Sequence, residues 1–280
     1  MRRKKITVRQ IIYHIKWLCN DANYYLPDNI TDLLEEACEK EVSSQGKEIL
    51  KNILDNADVA CGGRFPLCQD CGAAVVFVEL GQNVVIKGGD LRDAINQGVV
   101  NGYKEGFLRK SICHPLTRKN TGNNTPAVIH FEIVPGNNLR IVVMSKGGGA
   151  ENMAKLAMLK PSDGKEGIAN FVVKSVSDAG SNPCPPVIVG IGIGGGTAER
   201  AMFLAKKALL RAGVNSDKEM AEFENELLGK INGLGIGPQG LGGSVTALAV
   251  YIEMEPCHIA SLPVAVNLQC HSVRYAETIL

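Results

Sequence analysis

The sequence predicts an α+β or mixed α/β fold, a helical lead-in followed by mixed sheets flanked by helices. Three observations carry that prediction. Apolar residues recur at helical spacing up to about residue 56. From about residue 60, short β-like runs bounded by glycine and asparagine turns take over. Helical stretches such as Ala198 to Ala212 then alternate with those runs.

In order along the chain, Val8, Ile11, Ile12, Ile15 and Leu18 define a first helix, closed by the Pro27-Asp28 turn. Leu33, Leu34, Ala37 and Cys38 stripe a second, and Ile49, Leu50, Ile53 and Leu54 a third. Ala73 to Leu80 and Val84 to Lys87, joined by Gly81-Gln82-Asn83, read as a β-hairpin. Leu91 to Arg109 reads as a helix whose Gly98, Gly102 and Gly106 lie on one face, so another backbone is expected close against it. Ala127 to Pro135 and Leu139 to Met144 read as a second hairpin, and Met153 to Met158 as the start of a helix. Lys165 to Ser177 is helical, Val187 to Ile193 a fully apolar strand, Ala198 to Ala212 and Glu219 to Asn232 helices, and Val245 to Met254 and Ala260 to Leu268 the last strands.

The 280 residues, 45% apolar and 21% charged, suit an ordinary globular protein with a sizeable core. A net charge of +1 gives no footprint for nucleic acid or an acidic membrane. The basic opening Met1-Arg2-Arg3-Lys4-Lys5 leads into Ile11 to Leu18, which His14 and Lys16 interrupt, so no signal-peptide core follows. No segment reaches the roughly 18 apolar residues of a membrane-spanning helix. The expected location is cytoplasmic. Nine cysteines, an odd number, are then expected free, buried or metal-bound. Cys19 and Cys38 read as core residues, while Cys61, Cys113 and Cys257 have no evident partner.

Four features could carry chemistry. Gly190-x-Gly192-x-x-Gly195 sits between a strand and a helix like a dinucleotide fingerprint, but the acidic residue expected roughly 20 residues on is missing. A tight turn is the simpler reading. Lys146 to Ala150 is a second glycine loop that could meet an anion through its N–H groups, without the ending of a P-loop. Cys68-x-x-Cys71 lacks the second Cys-x-x-Cys of a zinc site and the following helix of a thioredoxin-like pair. Finally, Cys68, Cys184 and Cys270 each stand in a loop beside an apolar run. Three dispersed thiolates could hold a cubane iron–sulfur cluster with one iron left open as a Lewis acid.

Pro66-Leu67-Cys68-Gln69-Asp70-x-Gly72, Ser145-Lys146-Gly147-Gly148-Gly149, Asn182-Pro183-Cys184-Pro185-Pro186, Gly194-Gly195-Gly196-Thr197-Ala198-Glu199 and Gly237-x-x-Gly240-x-Gly242-Gly243 occur in that order. Together they resemble the alpha subunit, or N-terminal half, of the iron–sulfur class I fumarases and L-tartrate dehydratases, from about residue 10 to 278. The resemblance implies one catalytic-type domain over residues 1–280, with the lead-in at about 6–56 and a cluster-binding body at about 60–280. It implies that Cys68, Cys184 and Cys270 hold a 4Fe–4S cluster. Gln69 and Asp70 would face a small dicarboxylate, Asp70 as a proton-transfer group and His258 as a second catalytic residue. Arg109 would grip a substrate carboxylate, and Gly147, Gly148 and Gly149 would offer it N–H groups. Cys71 stands where the family usually has threonine, and His271-Ser272-Val273-Arg274 takes no role from the resemblance.

The implied activity is reversible hydration of fumarate to (S)-malate, with tartrate dehydration to oxaloacetate as the alternative. The implied partner is a separate beta subunit, in an α2β2 assembly, without which the chain is inactive. The alternative of a different class is a non-catalytic protein that binds a nucleotide or anion through its glycine loops.

Overall fold

The computed structural model describes residues 3–63 and 65–280, so Met1 and Arg2 of the basic opening lie outside the described residues. It shows an α+β protein. The chain divides into two compact units, each assembled from segments distant in sequence: residues 1–27, 57–148 and 274–280 form unit 1, and residues 28–56 and 149–273 form unit 2. The helical lead-in is thereby shared between the units. Among the described residues, no helix is long and apolar enough to cross a membrane.

Unit 1 opens with strand β1 (Lys4–Thr7) and helix α1 (Val8–Tyr24). Thr7 caps α1 in a reciprocal box with Gln10. Strands β2 (Ala73–Gly81) and β3 (Val84–Lys87), helix α4 (Leu91–Glu105), strands β4 (Val128–Val134) and β5 (Leu139–Lys146) and the terminal β10 (Tyr275–Ile279) complete it. The sheet order is β10-β5-β2-β4, while β1 pairs with β3. Neither predicted hairpin forms. β2 separates β4 from β5, lying parallel to the first and antiparallel to the second. A buried centre for β2 explains this: Val75 to Val78 are all buried, and a strand apolar on both faces belongs in the middle of a sheet.

Ala74, Val76 and Val78 join α1 and α4 in one core. The glycine stripe of α4 does what its spacing predicts. A Cβ on Gly98 would come within 2.5 Å of Ile15 Cβ, and one on Gly102 within 2.7 Å of Cys19 Cβ. The two helices therefore pack backbone to backbone.

Unit 2 contains α2 (Asp28–Lys40) and strands β6 (Lys155–Leu159), β7 (Val187–Gly194), β8 (Ala247–Glu255) and β9 (Leu262–Gln269), in the order β6-β9-β7-β8. Helices α6 (Gly164–Ala179), α7 (Ala198–Ala208) and α8 (Lys218–Asn232) flank the sheet. Helix α3 (Ser44–Cys61) runs through the boundary of the two segments, and the short α5 (Gly148–Glu151) through another. The run predicted as a helix from Met153 is instead β6, an edge strand paired with β9.

Strand β7 is buried throughout because both of its faces are covered. Val187, Val189, Ile191 and Ile193 meet α6 and α8. Gly190 and Gly192 point to the opposite face, where a Cβ would overlap the Ala205 and Ala201 carbonyl oxygens of α7. The dinucleotide-like glycines are thus explained by helix packing. At the end of α2, Glu41 is buried, and its carboxylate accepts hydrogen bonds from the N–H groups of Val42, Ser43, Ser244 and Val245.

Two predictions test this packing. Gly192→Ala forces α7 off the sheet and should cost about 3 kcal/mol, read as a lowered thermal midpoint. Burial pushes the Glu41 carboxyl up, but the donors from Ser244, Ser43 and Val245 outweigh it, leaving the pKa below the ordinary 4.5. Its contribution is therefore complete above pH 4.5 and fades as pH falls through the lower folded value. Thermal melts between pH 3 and 6 (about the carboxylate range) should fall more steeply in the native chain than in Glu41→Gln.

Candidate active site

Unit 1 gathers its candidates around the loop that enters β2. Leu67 is buried and its N–H donates to Asn23 O at 2.8 Å, which anchors the loop to α1. Gly72 closes it at φ 67°, a left-handed conformation that favours glycine. A Cβ there would stand 2.5 Å from the Lys146 carbonyl carbon and oxygen, so only glycine permits the approach. Tyr103 and Asn124 then donate to Gly72 O, at 3.1 Å each, and Tyr103 to Cys71 O at 2.8 Å.

Within this frame the Asp70 carboxylate and the Cys68 and Cys71 thiols have defined partners. The Asp70 N–H donates to Cys68 Sγ at 3.4 Å. Asp70 Oδ1 accepts from Gly72 N at 3.1 Å, and Oδ2 from Gly148 N at 2.8 Å. The Gly148 N–H is thereby engaged by Asp70, and a Cβ on Gly147 would sit 3.4 Å from Asp70 Oδ2. Gln69 is exposed beside the thiol. Arg109 reaches the same loop through its main chain, donating its N–H to Cys71 Sγ at 3.2 Å. Its side chain is exposed and has no hydrogen-bond or ion-pair partner among the described residues.

Two residues of this cluster were not assigned a place by sequence reasoning. Cys71 is buried, accepts from Arg109 N and donates to Cys68 O at 3.6 Å, so it ties two candidate residues together through their backbones. Threonine could make the same two bonds. Arg274 is 1% exposed and donates from Nη1 to Asp70 O. Its Nε has no partner among the described residues, and Nη2 would be 3.2 Å from a Cβ on Gly147. An arginine next to a β-strand reads as a solvated edge charge, and only the fold reveals it as buried.

Unit 2 brings Cys184 and Cys270 to one end of its sheet. β7 and β9 are antiparallel, with Ile188 opposite Gln269, so the loop that leads into β7 and the loop that leaves β9 meet. Cys184 is exposed at φ 55°, a strained backbone for a cysteine. His271 donates its N–H to Cys184 O at 3.5 Å, and its Nδ1 lies 3.0 Å from the same oxygen. Cys270 is half-buried, its thiol directed at Ser272 O. In the same unit Gly149 packs on the approach to Cys184: a Cβ there would be 2.7 Å from Asn182 O.

His258 is placed elsewhere. It stands on the exposed turn between β8 and β9, at the opposite end of β9 from Cys270. Eight strand residues at about 3.3 Å each put roughly 26 Å between those ends. There His258 lines an apolar pocket of ≈ 400 Å³ with Met220, Phe223, Met254 and Ile259. Unit 2 therefore does not bring His258 to Cys184 and Cys270 of its own chain.

Among the described residues, no three His, Cys, Asp or Glu side chains are gathered to hold a single metal ion. A cubane cluster asks for something different, because each thiolate binds its own iron. None of the nine cysteines is in a disulfide, and Cys68, Cys184 and Cys270 stand in loops, exposed or half-buried. Soft, solvent-reachable thiols fit iron–sulfur ligation.

Burial pushes the Cys71 thiol pKa up, with the Arg109 N–H and the Arg274 charge opposing it. In the metal-free native chain a thiol reagent should therefore modify Cys184 and Cys68 at least about tenfold faster than Cys71. Mass spectrometry of the labelled peptides checks this, and equal rates would contradict the placement of Cys71.

The family model described as Fumarate hydratase (Fumerase) matches residues 12–279. A protein of Methanocaldococcus jannaschii bearing the name "Putative L(+)-tartrate dehydratase subunit alpha" is 47% identical over 270 residues, covering 92% of this chain and 93% of that one. The L(+)-tartrate dehydratase subunit alpha of Escherichia coli UTI89 is 35% identical, and that of strain K12 34%. Each aligns over 255 residues, 89% of this chain and 84% of the relative.

Proposed function

The chain belongs to the fumarate hydratase (Fumerase) family, and from that premise we propose that it is the alpha subunit of an L(+)-tartrate dehydratase. It is a hydro-lyase subunit. The observation that carries the substrate choice is the name shared by the relatives, one of them 47% identical along nine-tenths of both chains. That moves the preference from fumarate, which the motifs alone favoured, to tartrate. Fumarate hydration remains the second reading, favoured by the description of the matching family.

Three cysteines, Cys68, Cys184 and Cys270, would hold a 4Fe–4S cluster, which when bound supplies a Lewis acid for the departing hydroxyl. The chain's own residues do the rest. Arg109, exposed and without a side-chain partner among the described residues, would clamp one carboxylate with its two-pronged fork. Gln69 would orient the substrate beside the cluster thiol. Asp70, fixed by Gly72 and Gly148 N–H groups, would hold or accept a proton at its carboxylate during elimination. Loss of the C–H proton and of the adjacent hydroxide leaves an enol, which becomes oxaloacetate. Gly147 and Gly149 would shape the loop around the acid. His258 stands at the far end of the unit 2 sheet from Cys184 and Cys270, so its catalytic part would be played at a site that these two thiols of its own chain do not flank. A separate beta subunit, as the names of the relatives imply, would complete the site.

Anaerobic co-purification with the beta subunit, followed by iron and sulfide analysis, tests the cofactor. About four irons per chain are expected, falling to near zero in Cys184→Ala. Assays on L-tartrate and on fumarate decide the substrate, with kcat/KM for tartrate at least about tenfold the higher. Faster fumarate turnover would establish the second reading, and absence of iron in the native complex would overturn the cofactor. Asp70→Asn should retain iron and lose about two to four orders of magnitude in kcat.

A further inference from the structure

The loop from Gly237 to Gly243 has no part in the function argued so far. Gly237, Gly240 and Gly242 are all left-handed, at φ 69°, 77° and 84°, as glycine allows. Gln239 shares that conformation at φ 54° without being glycine. A long side chain held in the left-handed region costs about 1–2 kcal/mol, so something must hold it there.

Its hydrogen bonds supply the reason. Gln239 N and Nε2 both donate to Pro185 O, at 2.7 and 3.2 Å. Nε2 also lies 3.1 Å from His271 Nδ1. Pro185 follows Cys184, and His271 follows Cys270, so one amide group joins the two thiol-bearing loops. His271 Nδ1 faces that amide on one side and Cys184 O on the other. Either tautomer of the ring ties the Cys270 loop to one of them. Gly240 closes the arrangement, because a Cβ there would overlap the Ser181 side chain at the start of the Cys184 loop. Glu41 pins the far end of the loop through Ser244 N and Val245 N.

We propose that Gln239 is a positioning residue that locks the Cys184 and Cys270 loops in register before any cofactor arrives. What the register serves rests on the cluster reading above; the clamp itself rests on the contacts. It assembles two ligands in the protein alone, so that binding does not have to order both loops.

The test is hydrogen–deuterium exchange on the full, metal-free chain, comparing the native protein with Gln239→Gly and Gln239→Glu. Glycine suits φ 54° and removes only the side chain, so the variant keeps its fold. Glutamate keeps the size, but its side chain cannot donate to Pro185 O, leaving only the main-chain bond. Both should speed exchange about tenfold in the peptides spanning residues 181–187 and 269–273, while α8 and its thermal midpoint stay unchanged. Anaerobic reconstitution should then give less iron per chain in both variants. Native exchange rates in Gln239→Gly, or acceleration of the Cys184 loop alone, would overturn the clamp. No iron in the native protein would instead remove the cluster reading, with the exchange result still deciding the clamp.

Discussion

The approach of Gly72 to the Lys146 carbonyl is the contact on which unit 1 depends. It is closer than any side chain permits, and it turns the loop ahead of β2 so that Asp70 lies over Gly148. The Cys71 and Gly72 carbonyls of that turn accept from buried side chains, Tyr103 and Asn124. Once those bonds are made, the carboxylate of Asp70 has two amide donors and a fixed direction. A carboxylate held by two backbone N–H groups requires little reorganisation when a proton moves.

Unit 2 reaches its thiols by a different route. Antiparallel pairing of β7 with β9 fixes which residues meet at the sheet's end, and a one-residue slip would turn every side chain to the other face. Packing on both faces of β7, valine and isoleucine toward α6 and α8 and glycine toward α7, makes such a slip costly. The rigid sheet delivers the two loops, and the strained residues sit in the loops themselves. Cys184 and Gln239, both left-handed and not glycine, both meet the His271 ring where the strand ends. Strain concentrated beside candidate ligands and absent from the strands is what a scaffold with a preformed site would show.

Buried polar groups follow the same division. Glu41 is fully served by donors and is structural. Arg274 is buried beside the Asp70 carbonyl, and its Nε has no partner among the described residues. Its guanidinium is placed by its bond to the Asp70 carbonyl, so a buried charge stands directly behind the loop that carries that carboxylate.

Much of this protein was determined by the sequence alone. Helical periodicity located α1, α2, α3, α4, α6, α7 and α8, and the glycine spacing of α4 foretold its close approach to a neighbour. Ordered motifs sufficed to identify the family, because each is a short backbone geometry that few residue types can satisfy. Strand pairing was decided only by the tertiary structure. Two runs joined by a glycine turn look like a hairpin locally, yet β2 is apolar on both faces and takes the centre of the sheet, parting β4 from β5. Met153 to Met158 likewise has no periodicity long enough to separate helix from edge strand. The same limit governs the site. Cys71, Gln239, His271 and Arg274 matter through contacts with residues 32 to 204 positions away in sequence, and side-chain type and local spacing carry no record of which distant backbone a group will meet.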